Sequence, residues 1–488
     1  RPKVAIIGGG FSGLMAASEL VGHCDVTLFE ARDRFGGRVW SKRKASGIVE
    51  AGGELIGYNH PLWLKLARRF ELGLSVITSD TNFDALDLDM PLFLDGQKPS
   101  DRQMERIYHE MDDAFGRISR QAAKVDPRKP WRAKGAKELD AKTLAEWIDG
   151  LDCTKLTKLA IDEQLSNDQG LPTNEQSFLA NLAVISGGRM KNDIGAFFTQ
   201  TETLRCSEGN QELAIRLADE VKRKGGDPLL STPVRAIRIE DEGVTLEFGA
   251  SGNGAPRAPF AADYVILAIP PSLWPASPFA KITITPELPQ DYYITMGTAV
   301  KYLSPVTKRF WIGEGLAPTS MSTRFGVTWE GTDNQIAPAD RPVELSVFAG
   351  ADVAKDALAR YKPGDQKDVD AFYAERIGDV YKGYVAHLAD EPEFMAWPRD
   401  EWTAAGYSCP APGEVCRAGP LLEKGFKDRL FFAGEHTCFA YFGYMEGALQ
   451  SGQAAADAII RAISQPLGAK AAKAKATKAR LPKPVVLS

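Results

Sequence analysis

The chain has 488 residues, 44% hydrophobic and 25% charged, with a formal net charge of −5. That is enough apolar material to bury a large core in two or three domains, and no broad basic character points to nucleic acid. The longest apolar runs are strand-sized, well short of the roughly twenty residues that cross a bilayer, so no transmembrane segment is expected.

The six cysteines, at 24, 153, 206, 409, 416 and 438, are scattered and lack metal-ligand spacing, so no metal site is expected. Cys409 and Cys416 are close enough in sequence to pair, but free buried thiols are the expectation. There is no repeat of fixed period and no visible signal peptide. Arg1 stands directly before the first strand, so a leader could have been removed upstream. The expectation is a soluble protein of the cytoplasm, or an exported one if such a leader existed.

The first forty residues organise the rest. Lys3-Val-Ala-Ile-Ile7 reads as a buried strand, Gly8-Gly-Gly10-Phe11-Ser12-Gly13 follows at once, and Leu14 to Val21 has helical apolar spacing. A second strand, Asp25 to Phe29, is followed by the carboxylate of Glu30. This is the dinucleotide fingerprint in its full context of strand, glycine turn, helix, strand and acid. Gly8 permits the tight turn, Gly10 lets backbone approach a pyrophosphate, and Gly13 lets helix and strand pack closely. Free N–H groups where the helix opens, at Phe11 and Ser12, would hold phosphates, and Glu30 would accept from a ribose diol.

The next segment, Ala31-Arg32-Asp-Arg-Phe-Gly-Gly37-Arg38-Val39, resembles the second half of the long FAD fingerprint of the amine-oxidase superfamily of flavoproteins. By that resemblance Ala31 and Arg32 help hold the adenosine end, and Gly37 and Arg38 run along the pyrophosphate. The chemistry agrees, because two phosphates need cationic and N–H donors. Gly47 to Gly57 resembles the family segment whose backbone passes the flavin ring on the substrate side, which makes Gly52, Gly53, Glu54 and Leu55 cofactor contacts. A helix from Leu62 to Leu72 is then predicted.

Between residues 80 and 200 the texture becomes helical. Met104, Ile107, Tyr108, Met111, Phe115, Ile118 and Ala122 share one helical stripe. Thr143-Leu-Ala-Glu146 and Thr173-Asn-Glu-Gln176 read as capping boxes. Asp126 to Gly135 reads as a solvated charged loop. The block is expected to be an insertion that roofs a substrate cavity.

A helix from Glu212 to Lys224 and a strand pair, Val234–Ile239 with Val244–Phe248, return to the nucleotide domain. In the family, backbone at such a Pro-Val segment meets the adenine, which assigns Val234. Asp263 to Pro271 is a strand stopped by two prolines. Thr298-Ala-Val-Lys301, ahead of Phe310-Trp311, resembles the family strand that carries a lysine toward flavin N5 through a water. A cation there would stabilise charge developing on oxygen.

The segment Trp397 to Tyr407 resembles the monoamine-oxidase stretch that ends on one wall of the aromatic cage, with Trp397 beside the cofactor. Arg429 to Glu435 is a strand ending in Gly434-Glu435, where relatives bond the ribityl chain. Phe442-Gly-Tyr444-Met445-Glu-Gly-Ala448 matches the motif that supplies the second cage tyrosine. Its helix, read as Ala448 to Ile463, would point its positive end at the flavin pyrimidine, with the Met445 amide as donor.

Two departures matter. Covalently flavinylated relatives carry a cysteine where this chain has Gly406, so non-covalent FAD is expected. L-amino-acid oxidases place Met-Arg after the flavin-side glycines, and Glu54-Leu55 stand there instead. Arg189, Arg309 or Arg324 would have to replace that arginine.

The resemblance implies an α/β two-domain flavoprotein of the monoamine-oxidase type, a Rossmann-like FAD-binding domain interleaved with an α+β substrate domain. The expected boundaries are 1–80, 200–290 and 400–465 for FAD, 81–199 and 291–399 for substrate, and 466–488 for a basic flexible tail. The implied reaction takes a hydride from an amine's α-carbon to flavin N5, with the imine hydrolysed by water and O2 reduced to H2O2. Lys301, Tyr407 and Tyr444 are its catalytic candidates. An L-amino-acid oxidase is the alternative within the class. A silent flavin-binding scaffold is the alternative outside it, against which retention of that trio argues. A homodimer is compatible with the family.

Overall fold

The computed structural model describes residues 1–249, 257–335 and 341–464, so the basic tail expected from 466 onward lies outside the described residues. Its first layer is a parallel sheet with Lys3–Ile7 at the centre. Tyr264–Leu267 and Asp25–Phe29 flank that strand, with Leu430–Phe432 and Asp227–Leu229 outside them. Both faces are covered, as parallel sheets require, so the strand side chains divide by twos. Val4 and Ile6 enter one apolar core, Ala5 and Ile7 another. Burying each large aliphatic side chain here stabilises the sheet by roughly 1.5–3 kcal/mol.

Helix Phe11–Leu20 lies on this sheet and against helix Met445–Ser464, which joins the two ends of the described chain. The helices touch closely because Gly452 has no side chain: a Cβ there would stand 2.2 Å from the Ser12 carbonyl oxygen. The Met445–Ser464 helix begins three residues before the predicted start at Ala448, with Met445 in its first turn.

The second large sheet has six strands, in the order Glu393–Met395, Ala299–Val306, Val343–Gly350, Gly326–Glu330, Ser320–Ser322 and Leu92–Phe93. Ala299–Val306 is paired on both sides and buried at every residue, so Lys301 is an interior residue and no edge charge. A separate apolar core packs under this sheet, with Tyr302 stacked on Tyr373 at 4.3 Å. A smaller four-stranded sheet carries Val234–Ile239 and Val244–Phe248.

The helical block comprises Asp101–Ala122, Lys155–Gln169 and Phe178–Gly187, with shorter helices between them. Three local expectations change here. Thr173–Glu175 is only a 3-10 turn, and the next helix is capped by Ser177, whose Oγ accepts from the Ala180 N–H. Gln176 does not complete a capping box, because its Oε1 accepts from Asn181 Nδ2 while its Nε2 donates to the carbonyls of Leu165 and Leu171. Tyr108 lies at the open edge of its stripe, 53% exposed. The charged loop 126–135 is anchored rather than simply solvated: Pro130 is buried and Trp131 packs edge-on against Phe439. Thr143 does form the predicted capping box with Glu146.

All six cysteines are free. Among the described residues no helix is long and apolar enough to cross a membrane, and no cluster could hold a metal ion.

Candidate active site

Two cavities meet at one wall. The first, about 1160 Å³ including its mouth, runs along the carboxyl ends of the central parallel strands. Such crevices are where nucleotides bind in open α/β sheets. Gly8, Gly10, Phe11, Ser12, Glu30, Ala31, Arg32, Gly37, Arg38, Val234, Gly434, Glu435 and Met445 all line it. Gly13 does not. It sits behind the wall, where a Cβ would come within 1.9 Å of the Gly8 carbonyl oxygen, so helix and strand could not approach. Gly8 itself has φ +110°, a conformation L side chains rarely adopt.

Helix Phe11–Leu20 opens on this cavity with no side-chain cap and no acidic residue in its first turn. Its leading N–H groups are left without side-chain partners, a ready anion site. Beside it Glu30 accepts hydrogen bonds from the N–H groups of Gly9 at 2.6 Å and Arg32 at 2.8 Å. Burial raises its carboxyl and those two bonds oppose the rise. An uncapped helix end for phosphates, a buried acid for a diol and a glycine-cleared wall together fit FAD.

Several predicted contacts also have partners within the protein. Arg32 forms a fork with Asp400, at 3.0 and 2.5 Å, and reaches Thr403. Arg38 donates to the carboxylate of Glu435 at 2.8 Å and to the Gly406 carbonyl at 3.1 Å. Glu435 accepts further from Ser408 N at 3.0 Å, Ser408 Oγ at 2.5 Å and Gly443 N at 2.6 Å. Burial alone would raise Glu435, yet Arg38, His436 and these donors hold it below the ordinary carboxylate value. This one carboxylate pins the Arg38, Tyr407–Ser408 and Gly443–Tyr444 segments together.

The second cavity, about 1030 Å³ including its mouth, is lined by Gly52, Glu54, Leu55, Lys301, Trp329, Phe348 and Trp397. Four of the predicted cofactor contacts, Gly52, Glu54, Leu55 and Trp397, therefore face this space and not the nucleotide cleft. Arg38, Gly53, Tyr407, Gly443, Tyr444 and Met445 line both cavities and form the shared wall. The Tyr407 hydroxyl donates to the Asp168 carbonyl at 2.6 Å. Tyr444 is braced edge-on by His60 at 5.6 Å and Phe197 at 6.2 Å. His60 is fully buried and kept neutral by that burial, its pKa pushed down to about 3.

Lys301 reaches this cavity from the centre of its sheet. Its Nζ donates to Glu54 Oε2 at 2.5 Å and to the Glu50 carbonyl at 3.0 Å. Glu54 Oε1 takes Arg205 at 2.6 Å and the Trp329 indole N–H at 2.9 Å. Burial would raise Glu54, but Lys301 and Arg205 hold it below the ordinary value. Glu50 is pushed up to about 7 by burial, against bonds from Asn210 and Ser41.

Arg189, Arg309 and Arg324, the candidate carboxylate partners, do not line either cavity. Arg189 donates to the Ala123 carbonyl, Arg309 forks onto Glu330, and Arg324 is paired with Glu375 and Asp379. That suggestion is corrected: other elements hold all three. Sequence reasoning also missed Arg205, Trp329, Asp168, Gln169 and Glu202; Asp168 and Gln169 end one helix, the other three come from separate segments, and no motif is shared.

Gly406 fills the position beside Tyr407. A Cβ there would stand 2.8 Å from both Ala299 Cβ and Ala299 N. The backbone of the sheet, not merely the residue type, leaves no room for a thiol.

Residues 11–460 match the family model of flavin containing amine oxidoreductases. The chain is 24% identical over 476 residues to a probable flavin-containing monoamine oxidase A of Dictyostelium discoideum, covering 92% of this chain and 95% of that one. It is 25% identical over 481 residues to an L-amino acid dehydrogenase of Synechocystis sp., covering 93% and 94%. It superposes on the structure of putrescine oxidase bound to putrescine with a TM-score of 0.77 and 20% identity, covering 94% and 99%, which shows a shared fold.

Proposed function

We propose that this chain, which belongs to the family of flavin containing amine oxidoreductases, oxidises a free amine in preference to an amino acid, with FAD held non-covalently and O2 as the acceptor. FAD, when bound, supplies a hydride acceptor for the amine's α-carbon and a two-electron donor for oxygen.

The observation that carries the preference for amines is the charge state of the second cavity. Its cations are Arg38 and Lys301, and both already hold buried carboxylates, Glu435 and Glu54. A substrate carboxylate entering here meets no free cation, and an unpaired buried carboxylate costs several kcal/mol. Tyr407 and Tyr444 offer ring faces and edges to a neutral amine, held in place by Asp168, His60 and Phe197. The amine is taken to react as its neutral form, oriented by the two tyrosines, without a dedicated side-chain base. Lys301, fixed by two acceptors, supplies a preorganised positive charge beside the shared wall, the kind of group that favours charge developing on oxygen. Tight packing around Gly406 supports non-covalent FAD.

The test is a comparison of kcat/KM for phenethylamine against phenylalanine, and for cadaverine against lysine, followed as peroxide release. Amines should win each pair. A tenfold or greater advantage for either amino acid refutes the assignment. Acid precipitation of the yellow protein should leave all flavin in the supernatant, and flavin retained in the pellet refutes the non-covalent reading.

A further inference from the structure

We propose that a third cavity, joined to the amine space through the Arg205–Glu54 pair, is a binding site for phosphate, free or as a monoester, with the buried Arg205 as its inner cation and Arg43 and Arg341 beside it.

The cavity is about 1120 Å³ including its mouth and lies between two short strand pairs. In one, Ser41–Lys44 pairs antiparallel with Gly47–Glu50. In the other, Leu74–Val76 pairs with Leu204–Cys206, which sets Ser75 opposite Arg205. Residues opposite each other in an antiparallel pair share a face, so the Ser75 hydroxyl and the Arg205 guanidinium turn toward the same space. The turn 331–335 forms a third wall. Gln335 locks it to the first pair, accepting from Ile48 N at 2.9 Å and donating to the Ile48 carbonyl at 2.7 Å.

The lining cations are Arg43, Lys44, Arg205 and Arg341, and the lining acids are Glu50 and Asp333. Both acids are already engaged. Asp333 accepts from Thr78 N at 2.6 Å and Thr78 Oγ1 at 2.8 Å, and Glu50 accepts from Asn210 N at 2.8 Å and Ser41 Oγ at 2.9 Å. Lys44 is spent on Glu393 and Glu344. Arg43 and Arg341 form no ion pair among the described residues, and Arg341 donates only from Nε, to the Ala45 carbonyl. The balance is positive.

The observation that points to a ligand is Arg205. It is only 7% exposed, lines this cavity and lines neither of the other two. Its Nη2 is held by Glu54 at 2.6 Å, while Nε and Nη1 have no hydrogen-bond partner among the described residues. Those two nitrogens carry most of a guanidinium's donors, and a buried donor left unmade is costly. Glu330, a second carboxylate within electrical reach, is taken by the fork from Arg309. A tetrahedral phosphate presents acceptor oxygens in several directions, which suits guanidinium groups arriving from separate segments, whereas a carboxylate offers a single plane. The Ser75 and Ser207 hydroxyls, which also line the cavity, add neutral donors.

The competing idea is a diffuse basic surface that attracts any anion. The experiment titrates the FAD-loaded protein by calorimetry, at fixed ionic strength, with sodium phosphate, glycerol 3-phosphate and succinate. Phosphate should bind saturably with a dissociation constant below about 1 mM, and succinate at least about tenfold more weakly. Arg205→Lys keeps the charge beside Glu54 and deletes the spare nitrogens, so it should weaken phosphate at least about tenfold, where a diffuse field would leave binding unchanged. Arg341→Gln, clear of the Glu54 pair, should weaken it at least about fivefold. Lys222→Gln, an exposed charge outside the cavity, should leave it unaltered. Flavin content and melting temperature report whether each variant folds, and if Arg205→Lys does not, the Arg341 and Lys222 variants decide. Glycerol 3-phosphate binding as tightly as phosphate identifies a monoester site, and its exclusion identifies free phosphate. Absence of saturable phosphate binding, succinate binding as well as phosphate, unchanged binding in a folded Arg205→Lys, or equal losses in Arg341→Gln and Lys222→Gln overturns the proposal.

Discussion

Replacing Lys301 by methionine keeps the length of the side chain and removes one of the two cations on Glu54. In the parent, Oε2 of Glu54 meets Lys301 and Oε1 meets Arg205 and Trp329. The variant leaves Oε2 and the Glu50 carbonyl without their donor, inside a cavity wall where both residues of the pair are about 95% buried. Breaking a buried pair from one side costs about 3–5 kcal/mol, and the remaining Arg205 places this case near about 3 kcal/mol. The unfolding midpoint should fall by about 3 °C. Adding Glu54→Gln should not restore that loss, since it leaves the buried Arg205 guanidinium without its carboxylate. The deficit should shrink with acid: Glu54 is held low when folded, so its contribution is present above its ordinary value of 4.5 and lost as pH falls through the folded one. In stopped flow, Lys301→Met should slow reoxidation about a hundredfold while slowing anaerobic reduction far less. A single variant that melts with the parent, or a double variant restored to the parent's midpoint, refutes the stability argument; an unchanged oxygen step refutes the catalytic one.

Gly406→Cys should destabilise the protein by about 1–3 kcal/mol through overpacking against Ala299 and should still release all its flavin on acid treatment. Glu435→Gln should lower the bound flavin per protein, read from the visible-to-ultraviolet absorbance ratio, because Arg38, Ser408 and Gly443 lose a common charged acceptor. Glu446→Ala removes the carboxylate that accepts from Leu62 N and Trp63 N at the start of helix Pro61–Arg69, and should cost about 1–2 kcal/mol in thermal unfolding.

The nucleotide half of the molecule was legible because its chemistry is contiguous. Gly8 to Gly13 and Glu30 lie on neighbouring elements of one strand–helix–strand unit, and each glycine answers a local demand of space or dihedral. The tyrosine pair was legible through flanking motifs. The electrostatics of the second cavity were not. Glu54, Arg205 and Lys301 are separated by about 100 or more positions, and only the pairing of sheets brings them together. Asp168 and Glu202 stand among ordinary helix-end residues, and nothing along the chain marks them as unpaired. Thr173 shows the opposite error: the letters of a capping box are present, but the Gln176 amide is engaged elsewhere, its Oε1 by Asn181 and its Nε2 by the carbonyls of Leu165 and Leu171.

The way helix Met445–Ser464 closes onto the first strand–helix unit has a consequence for biosynthesis. A ribosome makes the fingerprint first, but Leu430–Phe432, Glu435, Tyr444 and the helix that packs on Phe11–Leu20 emerge more than 400 residues later. Until then the nascent chain has a cofactor cleft with one side missing, its Arg38 lacking the Glu435 partner. The cleft acquires its last lining residue only at Ala448, so cofactor loading should follow synthesis of that segment, and a transcript cut short before it should yield a chain that retains no FAD, however complete its amino-terminal half.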